Sequence, residues 1–190
     1  MANPAWVLTE ELLSPEAFLL MENDNPLALR HEYVNGLIYA MTGASRNHNR
    51  LSRRLLVLLD RHLQGTRCEV FQSDMKVKVK NNDDVRFYYP DVQVSCEEEA
   101  DFYYNEHPCL ILEVLSDTTK RIDRTEKRLA YQSLASLQEY VLLSQDSPYL
   151  EIYRRRTDWQ RECFIGTQEV TLESVDLTIF VEVLYEQWGE

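Results

Sequence analysis

The segments YPDV (residues 89–92) and LILEVL (residues 110–115) decide the predicted fold, because both have the composition of short buried strands. Each segment carries one carboxylate, Asp91 or Glu113, where a purely structural strand would have an apolar side chain. Burial of a lone carboxylate costs free energy unless a partner compensates its charge. Two carboxylates on neighbouring strands repel each other, and a divalent cation relieves that repulsion. The two segments therefore predict a metal site that contains Asp91 and Glu113.

The cation expected at such a site is Mg²⁺ or Mn²⁺, because carboxylate oxygens and retained waters suit these ions. A cation held in this way favours hydrolysis of phosphodiester bonds, so the leading hypothesis is a metal-dependent nuclease. Structural alternatives remain for each residue. Asp91 follows Pro90 and is also typical of a turn. Glu113 is also compatible with a buried salt bridge to Arg124 or Lys127.

The pattern around these segments predicts an α/β (α+β) fold with a mixed central sheet flanked by helices. Asn35-Gly36 predicts the turn of an N-terminal β-hairpin over residues 31–41. Leucines at helical spacing predict a long helix over residues 46–64, and another helix is expected over residues 119–135. Further strands are expected at 68–72, 75–79, 89–95, 109–115, 139–144, 150–155 and 159–165, with short helices at 15–21 and 181–188.

Length and composition predict one domain over residues 1–190, because no repeat or flexible linker interrupts a chain that is 44% hydrophobic. No apolar run is long enough to span a bilayer, and no signal peptide is apparent. Four widely spaced cysteines contain no C-x-x-C pair, so neither a disulfide framework nor a zinc site is expected. These features favour a reducing cytoplasm and no membrane partner.

The formal net charge of −12 counts against a general nucleic-acid coat protein, because lysine and arginine drive phosphate binding. It does not exclude a nuclease, since acidic residues at the metal site contribute to the total. A local basic face is compatible with a negative overall charge.

The helix after the second carboxylate segment offers a further candidate group. Asp123, Lys127 and Tyr131 are spaced at i, i+4 and i+8 and share a helix face. Lys127 is therefore expected to point back over Glu113, where its ammonium would orient the attacking water and stabilise transition-state charge. Glu32, on the hairpin, is a fourth candidate that would hold the metal through water or bind a second ion.

His48, at the start of the long helix, is expected to be a cap or packing residue, because one histidine alone does not make a metal site.

These residues resemble the PD-(D/E)xK restriction-endonuclease-like superfamily, and more closely a large bacterial family of restriction-endonuclease-like proteins, the Uma family. The resemblance covers about residues 14–187 and rests on five motifs in order. They are E-x-x-x-G at 32–36, A-S-x-x-H at 44–48, Y-P-D-V at 89–92, E-V-L-S at 113–116 and D-R-x-x-K-x-x-x-Y at 123–131.

The resemblance implies a Mg²⁺- or Mn²⁺-dependent endonuclease that acts on DNA and leaves 5′-phosphate and 3′-hydroxyl ends. Asp91, Glu113 and the backbone carbonyl of Val114 would coordinate the metal, with Lys127 and Glu32 completing the site. One departure is Leu115, at the position where the superfamily usually has its lysine. A lysine displaced to the following helix is the expected substitute, and Lys127 fits it.

A homodimer is expected, because cutting a duplex needs two sites and most oligomers are two-fold. Two other functions stay open at this point. One is a catalytically silent interaction module that keeps the fold, since fold alone does not give function. The other is a phosphodiesterase that acts on RNA or on small substrates.

Overall fold

Three β-sheets and four helices form the part of the chain that the computed structural model describes, residues 12–25, 29–41 and 43–186. Serine side chains cap the first two helices, since Ser14 accepts from the Ala17 N–H and Ser45 from the His48 N–H. The helices are α1 (Pro15–Asn23), α2 (Arg46–His62), α3 (Lys120–Ile122) and α4 (Arg128–Gln132), with a π-helical turn, Asp123–Lys127, between the last two.

A six-stranded mixed sheet forms the centre of the fold, in the order β11-β10-β9-β8-β6-β3. Strands β8 and β9 are parallel, and the other neighbours in this sheet are antiparallel. This is the predicted mixed sheet. Its strands are β3 (Glu69–Gln72), β6 (Val92–Ser95), β8 (Pro108–Leu115), β9 (Glu139–Ser144), β10 (Tyr149–Arg154) and β11 (Arg161–Ile165).

A second sheet has five strands in the order β2-β1-β5-β4-β7, and its β1–β2 hairpin is the predicted N-terminal one. Asn35 and Gly36 both have positive φ at the turn, as expected for a tight Asn-Gly connection. Its strands are β1 (His31–Val34), β2 (Leu37–Ala40), β4 (Lys76–Asn81), β5 (Asp84–Tyr88) and β7 (Tyr104–Asn105). A separate hairpin joins β12 (Glu169–Leu172) to β13 (Leu177–Phe180).

Helices cover both faces of the six-stranded sheet. Leu51, Leu55 and Leu59 of α2 pack with one face in a core that includes Leu112. On the other face, Tyr131 of α4 lies in a second core. A strand buried on both sides needs apolar residues in succession, which accounts for the continuous LILEVL run in β8.

Two element predictions are corrected. The strand expected at 89–95 begins only at Val92, so Asp91 lies in the connection just before β6. Pro90 interrupts the strand, since it has no N–H to donate to a ladder. The preceding strand β5 and the β12–β13 hairpin were not predicted. Of the helix expected at 181–188, residues 181–184 form a 3₁₀ turn, and 187 and 188 lie outside the described residues.

No disulfide framework was expected from the sequence, but one disulfide is present, between Cys68 and Cys96. Strands β3 and β6 pair antiparallel with Glu69 opposite Ser95, which brings the residues just beyond this pair together. Sequence spacing could not reveal this partnership, since it depends on which strands pair. Cys109 keeps a free thiol, with its Sγ 3.6 Å from the Cys96 Sγ.

Membrane-spanning helices are absent from the described residues: none of their helices has the length and apolar character required.

Candidate functional site

The two predicted carboxylates meet where β6 begins and β8 ends, at one end of these two neighbouring strands. Strands β6 and β8 are antiparallel with Val92 opposite Leu112, so Asp91 lies beside Glu113. The Asp91 N–H donates to Glu113 Oε2 at 3.3 Å, and the Val114 N–H donates to Asp91 Oδ2 at 2.7 Å. Backbone donors therefore hold both carboxylates in fixed positions.

Lys127 points back over Glu113 from the following helical segment, as the sequence predicts. Its Nζ lies 2.7 Å from Glu32 Oε1, 3.4 Å from Glu113 Oε1 and 3.8 Å from Asp123 Oδ1. The side chain is buried and also lies over the Tyr88 ring, 5.5 Å from its centroid. One ammonium thus joins three carboxylates that come from the hairpin, the central strand and the π turn.

The π turn determines which residues of this helical segment face the sheet. In a regular α-helix, positions i, i+4 and i+8 drift progressively around the axis. The wider π turn over Asp123–Lys127 offsets this drift, so Asp123, Lys127 and Tyr131 are all buried. The Tyr131 hydroxyl then donates to Glu113 Oε1 at 3.4 Å. The predicted shared face is present, although a π turn makes it.

His48 lies in the site, where it contacts Asp91. This contact was not predicted, because His48 was expected to be a cap or packing residue. Its Nε2 lies 2.8 Å from Asp91 Oδ1, so the carboxylate oxygen can accept a hydrogen bond from the Nε2–H. Among the described residues, its buried Nδ1 has no hydrogen-bond partner. The A-S-x-x-H motif was the available signal, but its meaning depends on a contact 43 positions along the chain.

Burial dominates the electrostatics of the inner residues. It raises the pKa of the Glu113 carboxyl well above its ordinary value, although Lys127 opposes the shift. Burial also raises the pKa of Asp123 to about 6. Burial alone would lower the pKa of Lys127, but Glu113, Glu32 and Asp123 raise it well above the ordinary value. Lys127 therefore stays protonated, and its single ammonium group faces three carboxyl groups.

The site opens to solvent on the side of Glu32, Asp91 and His48. These side chains remain 16%, 16% and 15% exposed, whereas Glu113 and Lys127 are only 5% and 8% exposed. A ligand would therefore meet the first three residues before it meets the buried pair.

The donor set fits a hard divalent cation that keeps most of its waters. Within the described ranges, no group of three or more His, Cys, Asp or Glu residues is arranged to hold a metal ion. Mg²⁺, however, is usually held by only one or two carboxylates and retains several waters. Asp91 and Glu113 offer such a pair, and the surrounding excess of negative charge favours a cation. The Val114 carbonyl as a third ligand stays a prediction.

The sequence and the fold both match known proteins. Residues 15–182 match the model of the Uma2 family, whose description is "Putative restriction endonuclease". Two relatives come from Synechocystis sp. (strain ATCC 27184 / PCC 6803 / Kazusa). The uncharacterized protein slr1290 is 36% identical over 177 residues, 91% of each chain. The uncharacterized protein sll1609 is 33% identical over 159 residues, 81% of this chain and 87% of the relative.

A solved structure shares the fold. It is the crystal structure of a putative nuclease belonging to DUF820 from Anabaena variabilis ATCC 29413, with a TM-score of 0.72 and 17% sequence identity. The match covers 91% of this chain and 97% of that one. At this identity the likeness establishes the fold class, and it agrees with the predicted restriction-endonuclease-like architecture.

Proposed function

Because the chain belongs to the Uma2 family, we propose that it is a metal-dependent endonuclease that hydrolyses phosphodiester bonds in DNA. The family and the fold support a nuclease. The observation that carries the finer assignment is the position of Lys127, whose ammonium lies within 3.4 Å of both Glu113 and Glu32 beside Asp91. A lysine next to paired carboxylates places a fixed cation where negative charge would develop during phosphodiester hydrolysis.

Asp91 and Glu113, with the Val114 carbonyl, would hold Mg²⁺ or Mn²⁺ at the site. When bound, the cation would lower the pKa of a water and stabilise charge on the phosphoryl oxygens. Lys127 remains protonated because its pKa is raised, so it acts as a cation and donor rather than as a base. Its ammonium orients the attacking water and stabilises negative charge that develops at phosphorus.

Glu32 and His48 act through their neighbours. Glu32 fixes the Lys127 ammonium by accepting its shortest contact. His48 donates to Asp91 Oδ1, while the Val114 N–H donates to the other oxygen. Asp91 is therefore held between two donors, with its remaining lone pairs available to the solvent side of the site.

The decisive experiment is cleavage of supercoiled plasmid, single-stranded DNA and RNA with Mg²⁺, Mn²⁺ or EDTA. The proteins are wild type, Glu113→Ala, Asp91→Asn and the control Glu98→Gln, which changes an exposed loop carboxylate. We expect metal-dependent DNA cleavage that falls at least about 100-fold in both site variants and is unchanged in the control. Thermal unfolding shows whether each variant is folded.

Four outcomes would change the assignment. Full activity in Asp91→Asn would refute the metal site, and equal activity in Glu113→Ala would identify the cleavage as contamination. Cleavage of RNA alone would replace DNA as the substrate. Complete inactivity of folded wild type on every substrate would favour the catalytically silent module.

A further inference from the structure

Positive charge is concentrated on two segments of this acidic protein. The chain has 20 lysine and arginine residues and a net charge of −12. Half of the 20 lie in α2 and in residues 120–128. Helix α2 has five arginines against one aspartate, and residues 120–128 have five basic residues against two acidic ones. The rest of the chain is correspondingly rich in carboxylates.

Both basic segments adjoin the candidate site. Helix α2 contributes His48, which contacts Asp91, and the second segment contributes Lys127, which contacts Glu113. The two segments lie toward opposite faces of the six-stranded sheet, because α2 packs in one core and Ala130 and Tyr131, just after the second segment, pack in the other. The site at the ends of strands β6 and β8 therefore lies between two basic segments.

Helix α2 has three arginines in a row along its outer face, and we call Arg46, Arg50 and Arg53 the arginine stripe. Their i, i+4 and i+7 spacing places them on one side of the helix, over a length of about 10 Å. All three are exposed, on the side opposite the buried leucines.

The arginine stripe differs from the other cations near the site by its lack of partners. In residues 12–25, 29–41 and 43–186, no side-chain hydrogen bond, ion pair or ring contact of Arg46, Arg50 or Arg53 is present. By contrast, Arg54 of the same helix donates to the Leu184 carbonyl, and Arg124 pairs with Glu151. Arg46 and Arg50, at i and i+4, repel each other, and this repulsion destabilises the helix. No acidic side chain in the described part of the chain pairs with them to offset it.

We propose that the arginine stripe binds the phosphate backbone of the DNA substrate. The choice of ligand rests on the proposed function, while the surface itself rests on the charge distribution. A row of guanidinium groups about 10 Å long matches the continuous line of charge on a nucleic-acid strand. Guanidinium groups also pair well with phosphate oxygens. Such contacts carry no sequence information, so the stripe positions DNA without selecting its sequence.

The test is equilibrium binding of a fluorescein-labelled duplex of about 30 base pairs in EDTA, so that no cleavage occurs, at about 50 to 200 mM salt. Wild type is compared with R46Q/R50Q/R53Q and with the matched control R67Q/K80Q/R161Q, which removes three exposed basic residues elsewhere. We expect the stripe variant to bind at least about tenfold more weakly, with a salt slope smaller by about 2 to 3. The control should resemble wild type.

The outcomes separate this inference from the proposed function. Equal affinity and salt slope in the stripe variant and the control overturn the inference, even if wild type cleaves DNA. Absence of wild-type binding at the lowest salt concentration also overturns it. Weakened binding in the stripe variant alone supports the inference, even if wild type with Mg²⁺ or Mn²⁺ cleaves nothing, in which case only the proposed function fails.

Discussion

Lys127 is the side chain on which the charge balance of the site depends. It contacts Glu32, Glu113 and Asp123 and is itself buried. Removal of one partner from a buried ion pair leaves an uncompensated charge. We therefore expect Lys127→Met to lower the free energy of unfolding by about 3–5 kcal/mol at pH 7, measured by urea denaturation in EDTA.

The double variant Lys127→Met/Glu32→Gln is the control for this explanation. Because it also removes the carboxylate nearest to the ammonium, it should be more stable than the sum of the two single changes implies. Additive effects in this cycle would show that the 2.7 Å contact with Glu32 contributes no coupling energy.

Asp123 should make the metal-free protein sensitive to pH. Burial raises its pKa from 3.8 to about 6, so its carboxyl group stabilises the folded state below pH 4 and loses this contribution as the pH rises through 6. A shift of this size corresponds to at most about 3 kcal/mol. We expect Asp123→Asn to gain stability relative to wild type between pH 4 and pH 7, measured by denaturation in EDTA. A difference that is constant over this range would contradict the prediction.

The residues whose proximity could be predicted from the sequence are those with unusual local surroundings. Glu113 interrupts an apolar run, and Lys127 follows it on a helix face, so both could be recognised from neighbouring residues. The structure brings both together with Asp91 and Glu32. The role of His48 was missed, because its ring meets Asp91 only after α2 packs on the sheet.

At the scale of elements, strong local patterns were predictable, whereas the pairing of β3 with β6 was not. The β1–β2 hairpin, α2 and β8 follow from an Asn-Gly turn, a leucine repeat and an apolar run. Strand β5 was missed because Asp84–Tyr88 runs into Pro90 without a separate turn signal. The π turn was missed because a sequence that favours an α-helix also allows one wider turn.

Helix α1 fixes both segments that carry solvent-facing site residues. Its Glu22 side chain, which is only 4% exposed, accepts hydrogen bonds from the His31 N–H, the His31 ring and the Tyr89 hydroxyl, each at 2.9 Å. His31 immediately precedes Glu32, and Tyr89 lies two residues before Asp91. Through one carboxylate, α1 therefore determines the position of two site residues.

Replacement of this carboxylate should affect stability and catalysis together. We expect Glu22→Gln to lower the free energy of unfolding by about 1–3 kcal/mol, because an amide cannot accept every hydrogen bond that a carboxylate accepts. We also expect kcat to fall more than KM changes, since positioning rather than binding is lost. Glu16→Gln, an exposed change on the same helix, is the control. A Glu22→Gln enzyme with normal kcat would refute this role.

At the scale of the whole molecule, the site lies where separate parts of the fold meet. The five-stranded sheet supplies Glu32, the six-stranded sheet supplies Glu113, and helical segments on its two faces supply His48 and Lys127. The sequence predicted the contacts of Glu113 with Asp91 and Lys127, but not the contact of His48 with Asp91. Integrity of the site should therefore depend on the stability of the complete fold.

The Cys68–Cys96 disulfide gives a direct test of that stability. It closes 28 positions of chain between β3 and β6, and in the chain-entropy description a loop of this size stabilises the fold by about 3–4 kcal/mol. We expect a reductant to lower the free energy of unfolding by about this amount in wild type and in Cys163→Ser, but not in Cys68→Ser. Urea denaturation with and without the reductant measures the difference.

In denaturant without reductant, two thiols should react, those of Cys109 and Cys163. Titration of all four thiols would show that the bond does not form, and the expected effect of reduction would then vanish.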